Sequence, residues 1–171
     1  MLKVDISFQL KDMKFDFTDL VERGKPYTYN VGERALADKL FWVLCGLDAG
    51  YTGTISGDGL CFNRSSFNNV LALGDRTMFI RGSVRRNIYK ALRLRTDKKT
   101  AMARTDEVIG LYNLRKLETF NVKLLTGEEL ITVALARAHF RKIGLVVFNK
   151  VSTNVEIDLQ KFSDAYIITI C

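Results

Sequence analysis

Asn149 and Lys150 stand where an apolar run ends, in Gly-Leu-Val-Val-Phe-Asn-Lys-Val-Ser-Thr-Asn-Val (144–155). Leu145, Val146, Val147 and Phe148 form the unbroken apolar stretch of a strand covered on both faces, as in a parallel sheet. In open α/β sheets the chemistry lies just past the carboxyl ends of such strands. A metal-assisted hydrolase would place two acids there, one to hold the cation and one to act on water. Here an amide and an amine take those places. An amide is a neutral, poorer ligand for magnesium, and an ammonium is no general base at neutral pH unless its pKa falls steeply. Other reactive side chains are sparse. His139 is the single histidine, which argues against a histidine-based zinc site or a Ser–His–Asp triad. Cys45, Cys61 and Cys171 share no metal-ligand spacing and leave one thiol over in any disulfide scheme. They read as reduced thiols of an intracellular, cytoplasmic protein.

The elements that must position these groups belong to a chain of 171 residues, 47% hydrophobic. That length builds one domain with a sizeable core, or one domain with a small helical insert. Apolar runs fall well short of the roughly 20 residues of a membrane-spanning helix, and the alternating start, Met-Leu-Lys-Val-Asp-Ile-Ser-Phe-Gln-Leu, lacks the apolar core of a signal peptide. The formal net charge is +7. Arg81, Arg85, Arg86, Lys90, Arg93, Arg95, Lys98, Lys99 and Arg104 crowd one segment, with Asp97 the acid among them. Such a run is a solvated helix face, or it meets nucleic acid, acidic lipid headgroups at a membrane periphery, or an acidic protein. No aromatics interleave at stacking intervals between Arg93 and Arg104, which weakens a single-stranded nucleic-acid reading.

Periodicity predicts strands over Lys3–Leu10 and Lys14–Val21 with a turn at Lys11-Asp12, then a strand at Pro26–Val31 after a turn at Glu22–Lys25. A helix is expected over Glu33–Gly46, ending at Gly46. Short strands follow at Thr54–Ser56 and Val70–Leu73. Helices are expected at Val84–Leu94, Asp106–Leu111 and Glu128–Phe140, then strand Leu145–Phe148, a helical Asp158–Phe162 and strand Ala165–Cys171. Trp42, beside Phe41, is expected to pack between helix and sheet, and His139 to serve packing or the surface.

In this order the pieces resemble the nucleotide-binding domain of ABC transporters, from Lys3 to Cys171. Lys3-Val4-Asp5-Ile6-Ser7-Phe8 looks like the family's opening strand. Gly82-Ser83-Val84-Arg85-Arg86-Asn87-Ile88 is similar to the "GTVRENI" segment of exporter-type members. Leu125-Thr126-Gly127-Glu128-Glu129, followed by Ala134-Leu135-Ala136-Arg137-Ala138, resembles the "LSGGQ…ALARA" signature and its helix. The resemblance implies an α/β, P-loop NTPase-like core, a mixed sheet flanked by helices. It implies one degenerate domain over 1–171, with a short basic helical subdomain at about 83–125. The chain ends where family members continue, so the resemblance is to a shortened domain.

The family's phosphate loop, GxxGxGK[ST], uses glycine amides, a lysine and a metal-holding hydroxyl. By resemblance it falls on Val31-Gly32-Glu33-Arg34-Ala35-Leu36-Ala37-Asp38, with Ala37 on the lysine and Asp38 on the hydroxyl. A shift by one puts Asp38 and Lys39 there instead. Glu33 and Asp38 are expected to bring negative charge to the start of a helix, where a carboxylate caps its own amides and takes the anion's place. The metal-holding Asp and the catalytic Glu fall on Asn149 and Lys150, the γ-phosphate-sensing Gln on Asp75, the switch His at about Cys171, and the interface Asp on Glu156. The signature's second glycine falls on Glu128, and the adenine-stacking aromatic near Leu10, with Phe8 and Phe15 as substitutes.

Fold-building patterns are kept while phosphate-facing residues are changed. The expectation is a pseudo-ATPase with no resident cofactor or metal, ATP and magnesium entering only if residual binding persists. Its partner would be an active ABC-type ATPase, a permease, a larger complex or a second copy. Thr126, Gly127, Glu128, Glu129, Glu156, Arg85 and Arg86 are the interface candidates. Two alternatives stand beside it: an ATP-binding subunit with residual nucleotide binding through Arg34 or Lys150, and an RNA- or DNA-binding module using Arg81–Arg104.

Overall fold

The computed structural model describes residues 1–58, 60–62, 69–74, 79–151 and 162–171. Asp75, Glu156, the Ser152–Asn154 loop and the helix expected at Asp158–Phe162, Phe162 excepted, lie outside the described residues. The chain divides into two compact units, Met1–Leu73 with Lys142–Cys171, and Gly74–Arg141.

The first unit holds two four-stranded sheets among the described residues. β1 (Leu2–Leu10) and β2 (Met13–Val21) form a hairpin in which Leu10 faces Met13. Lys11 takes φ 55°, the left-handed value that a two-residue hairpin demands at its first position. Strict alternation drives Leu2, Val4, Ile6 and Phe8 inward and leaves Lys3 and Gln9 in solvent. After β3 (Pro26–Tyr29), β4 (Thr52–Gly57) and β5 (Leu60–Cys61) complete this antiparallel sheet in the order β2-β1-β4-β5. Gly53, opposite Ile6, has φ 99°, and a Cβ there would lie 2.0 Å from the Asp5 carbonyl, so only glycine fits.

The second sheet is parallel, ordered β3-β8-β7-β6, with β6 at Val70–Leu73, β7 at Leu145–Asn149 and β8 at Tyr166–Ile170. Every residue of β6, β7 and β8 is buried, as the unbroken apolar runs required. α1 (Arg34–Leu44) packs against β7 and buries Leu36, Ala37, Leu40, Phe41, Val43 and Leu44. It ends in a Schellman turn: Gly46, at φ 71°, donates to the Val43 carbonyl at 2.9 Å, and Leu47 N–H reaches the Trp42 carbonyl at 2.9 Å. Trp42 sits half-buried on this helix, its ring edge-on to Phe41 at 5.6 Å.

The second unit is helical. α2 (Val84–Arg93), α3 (Lys98–Leu111) and α4 (Gly127–Ala138) surround a core that includes Val84, Ile88, Leu92, Val108, Ile109, Leu130 and Val133. Ser83 accepts from the Arg86 N–H and starts α2. Buried Asn87 accepts from the Ile80 N–H at 2.9 Å and donates to the carbonyls of Ile80 and Ser83 at 2.9 and 3.1 Å, which fixes the turn before α2. α3 begins eight residues earlier than the expected Asp106. Asp97 caps it by accepting from Lys99 and Thr100, and its buried stripe starts with the small Ala101 and Thr105, which carry little apolar signal. The α/β expectation therefore holds, with the strands divided between an antiparallel and a parallel sheet.

Candidate functional site

The segment from β3 into α1 is where a phosphate loop would lie. It runs through Asn30, Val31, Gly32 and Glu33, and two of its amides are already engaged. Val31 N–H donates to the Cys171 carbonyl at 2.9 Å, and Glu33 N–H closes a tight turn on the Val31 carbonyl at 2.7 Å. Gly32, at φ 66°, makes that turn. Glu33 occupies the N-cap position of α1, but its side chain caps nothing; the carboxylate lies 3.7 Å from Lys11 Nζ. Nor does Asp38 stand in the first turn, which holds no acid. The expected self-capping of this helix is thus corrected: the residues were placed at the helix start, but Lys11 from the β1–β2 turn draws Glu33 away. Arg34 is largely exposed and its Nε lies 3.8 Å from the Asp38 carboxylate.

Asp38 faces the end of β7 instead. Its Oδ1 accepts from Asn149 Nδ2 at 3.0 Å, joining residues 111 apart in sequence. Asn149 is fully buried at the last position of β7. The two residues assigned by resemblance to the two protein ligands of a magnesium ion therefore touch directly. The next residue, Lys39, is also committed. Its Nζ pairs with Asp48 at 2.7 Å and lies 5.8 Å from the Phe8 ring centre. The Lys39 ammonium, helped by the Gly50 N–H, holds the Asp48 carboxyl below its usual range. Lys150 follows Asn149, half-buried, and its N–H donates to the Ile170 carbonyl at 2.8 Å. Cys171 brackets the loop from the other side, its N–H bonded to the Tyr29 carbonyl at 2.9 Å.

The polar side chains at this end of α1 and β7 are bonded to one another. The Asn149 N–H₂ donor is aimed at the one carboxylate a cation would need, a guanidinium lies on its other side, and half of the short loop's amides are bonded internally. Among the described residues no group of three or more His, Cys, Asp or Glu side chains comes together to hold a metal. Phe8, a substitute for the adenine-stacking ring, is 3% exposed. It stacks on Phe17 at 5.7 Å and leans on Phe15 at 6.1 Å, so its faces are taken by the core.

In the helical unit, the segment resembling a signature motif is a capping box. Thr126 Oγ1 accepts from the Glu129 N–H at 3.3 Å, and Glu129 Oε2 accepts from the Thr126 N–H at 2.7 Å. The Thr-x-x-Glu spacing alone encodes this. Thr126 and Glu128 are exposed, whereas Gly127 and Glu129 are half-buried. Arg85 pairs at the surface with Asp106 at 2.6 Å and Glu118 at 3.1 Å, while Arg86 is exposed. His139 is exposed at the end of α4, its ring against Tyr112 and Phe140. Arg137 lies over the Phe79 ring at 5.0 Å. Burial, with repulsion from Arg95 and Arg137, pushes Arg141 down to about 10. The Lys39–Asp48 lock and the Asp38–Asn149 bond escaped sequence reading, because each joins groups brought together by a helix end or by strand order.

A parallel core sheet with α1 following β3 and packed against β7 is a P-loop NTPase-like arrangement. No family model matches the sequence. Among solved structures, that of cbiO1 from Clostridium perfringens, described as part of the ABC transporter complex cbiONQ, matches with a TM-score of 0.66 at 16% identity. The match covers 99% of this chain and 77% of that chain. The fold is therefore that of an ABC-type ATPase core, as the motif order implied.

Proposed function

We propose that the chain is a catalytically inactive ABC ATPase-like protein, a pseudo-ATPase, that acts as a non-catalytic interaction or regulatory subunit of a larger complex. The observation that carries this reading is the direct Asn149–Asp38 hydrogen bond, which seats an amide donor where a cation would bridge helix and strand. With Lys150 in place of a carboxylate base, the described residues at the end of β7 include no group to polarise water. The exposed surface of Thr126, Glu128 and Arg86 is the proposed docking face, toward an active ABC-type ATPase, a permease or a second copy. Calorimetry of the purified chain with millimolar ATP and magnesium tests it: no heat of binding and no phosphate release are expected. Native capture with mass spectrometry should return one of those partners.

A second reading has an observation of its own. The first-turn amides of α1 carry no side-chain cap and Arg34 is largely exposed beside them, an arrangement that favours residual anion binding. On that reading the chain is an ABC transporter ATP-binding subunit that retains nucleotide without the usual lysine. Binding heat that disappears in Arg34→Ala would select it over the first.

A further inference from the structure

The turn between α2 and α3 concentrates charge and one apolar side chain at a single tip. Leu94 caps the carboxyl end of α2 and Lys98 begins α3, so three residues separate them and they cannot lie more than about 14 Å apart. Leu94 is 86% exposed, whereas Leu92 beside it is 3% exposed in the core. The turn is held: Arg95 N–H donates to the Leu92 carbonyl at 3.0 Å, and Arg93 Nη1 donates to the Thr96 carbonyl at 2.9 Å. Leu94 is therefore directed outward by a fixed turn.

Lys90, Arg93, Lys98 and Lys99 surround it, all exposed. Among the described residues the ion pairs of this unit converge on Arg85, which leaves those four charges facing solvent. Asp97 is engaged in capping α3. Lys90 and Arg93 complement the carboxyl end of α2, but Lys98 and Lys99 sit at the amino end of α3, where a helix disfavours cations. Helix stability does not account for them.

From this combination we infer that the α2–α3 tip is a docking surface for an anionic lipid surface, with Leu94 entering the interface and the cations meeting headgroup phosphates. A lipid interface takes both kinds of side chain, because apolar atoms reach the acyl boundary while Lys and Arg remain among the headgroups. Nucleic acid would use the cations and leave Leu94 in water, and no aromatic residue lies between Arg93 and Arg104 to stack on a base. The inference is independent of whether nucleotide binds.

Co-sedimentation of the full chain with phosphatidylcholine vesicles, with and without one-third phosphatidylglycerol, tests it. Binding is expected only to the anionic vesicles, weakening steeply with salt. Lys98→Glu with Lys99→Glu should weaken it at least about 30-fold, at about fivefold per lost cation. Leu94→Ser should weaken it about tenfold, while leaving duplex RNA and polyglutamate binding unchanged. All three side chains are exposed, and unchanged circular dichroism and melting would show that the variants fold. Equal binding to neutral vesicles, or anionic-vesicle binding that Leu94→Ser does not alter, would overturn the inference. Tighter binding to RNA or polyglutamate than to anionic vesicles at the same salt would overturn it too.

Discussion

The helical unit, Gly74–Arg141, holds 15 of the chain's 26 Lys and Arg but only 7 of its 19 Asp and Glu, so the sheet unit, with 11 against 12, is close to neutral. The way those charges are used differs as much as their number. In the sheet unit Lys3, Lys11, Lys14, Arg23, Lys25, Arg34 and Lys39 each pair with a carboxylate. In the helical unit the ion pairs among described residues gather on Arg85, and most of the remaining cations face outward. Among the described residues one unit pairs most of its cations internally, even at positions where a ligand would be expected; the other presents a largely uncompensated field to its surroundings. Exposed pairs of the first kind add little stability individually, so what they remove is anion affinity. Long-range attraction of an acidic partner belongs to the second unit.

The sharpest way to break this comparison is through the two cores. Ile88→Ala, at a fully buried position of the helical unit, should cost about 2–5 kcal/mol. Hydrogen exchange should show the lost protection confined to Gly74–Arg141; loss spread evenly over β6, β7 and β8 would mean that the division does not describe stability. Next in size is the polar lock. Asn149→Ala leaves the Asp38 carboxylate without its buried donor and should cost about 1–3 kcal/mol in urea unfolding.

Asn149→Asp sharpens the same point. Two carboxylates about one hydrogen bond apart repel, which raises the pair's folded-state pKa above its unfolded value. The variant should then be most stable below about pH 4 and lose stability as pH rises through the raised value. Magnesium that restores stability at pH 7 would reveal a latent cation site and weaken the pseudo-ATPase reading. In the helical unit, Thr126→Ala removes half of the capping box and should cost about 1 kcal/mol in thermal or urea unfolding.

The smallest effect is expected at Asp58, whose carboxyl is held at about 2 by the Tyr166 hydroxyl and then by Arg23. A depressed carboxylate stabilises the fold above its unfolded value near 4, and that contribution fades as pH falls toward 2. Asp58→Asn should flatten the acid limb by lowering stability slightly above about pH 4, and leave stability near pH 2 unchanged.

The long strands and long helices were legible because period two and period 3.6 repeat over many residues in Leu2–Val21, Arg34–Leu44 and Gly127–Ala138. The front half of α3 was not, since Lys98–Arg104 carries alanine and threonine on its buried side and charge elsewhere. At the candidate site, the sequence placed Asp38 and Asn149 correctly on a helix and at a strand end, and the resemblance paired their roles. It could not show that they bond to each other, or that Lys39 bends back to Asp48. Those contacts depend on the crossing of α1 over β7 and on the direction in which Gly46 releases the chain. Glu33 was misread for a similar reason, because helix-local rules carry no knowledge of Lys11.

Trp42 gives the molecule an internal optical probe. It is the chain's single tryptophan, and it sits half-buried on α1, one residue from the buried Phe41. Emission excited in the indole band therefore follows melting of the sheet unit and is silent about α2, α3 and α4, whose loss must be read from far-ultraviolet ellipticity. Where the two signals part on heating, the wild-type chain itself, without label or substitution, reports which half lets go first.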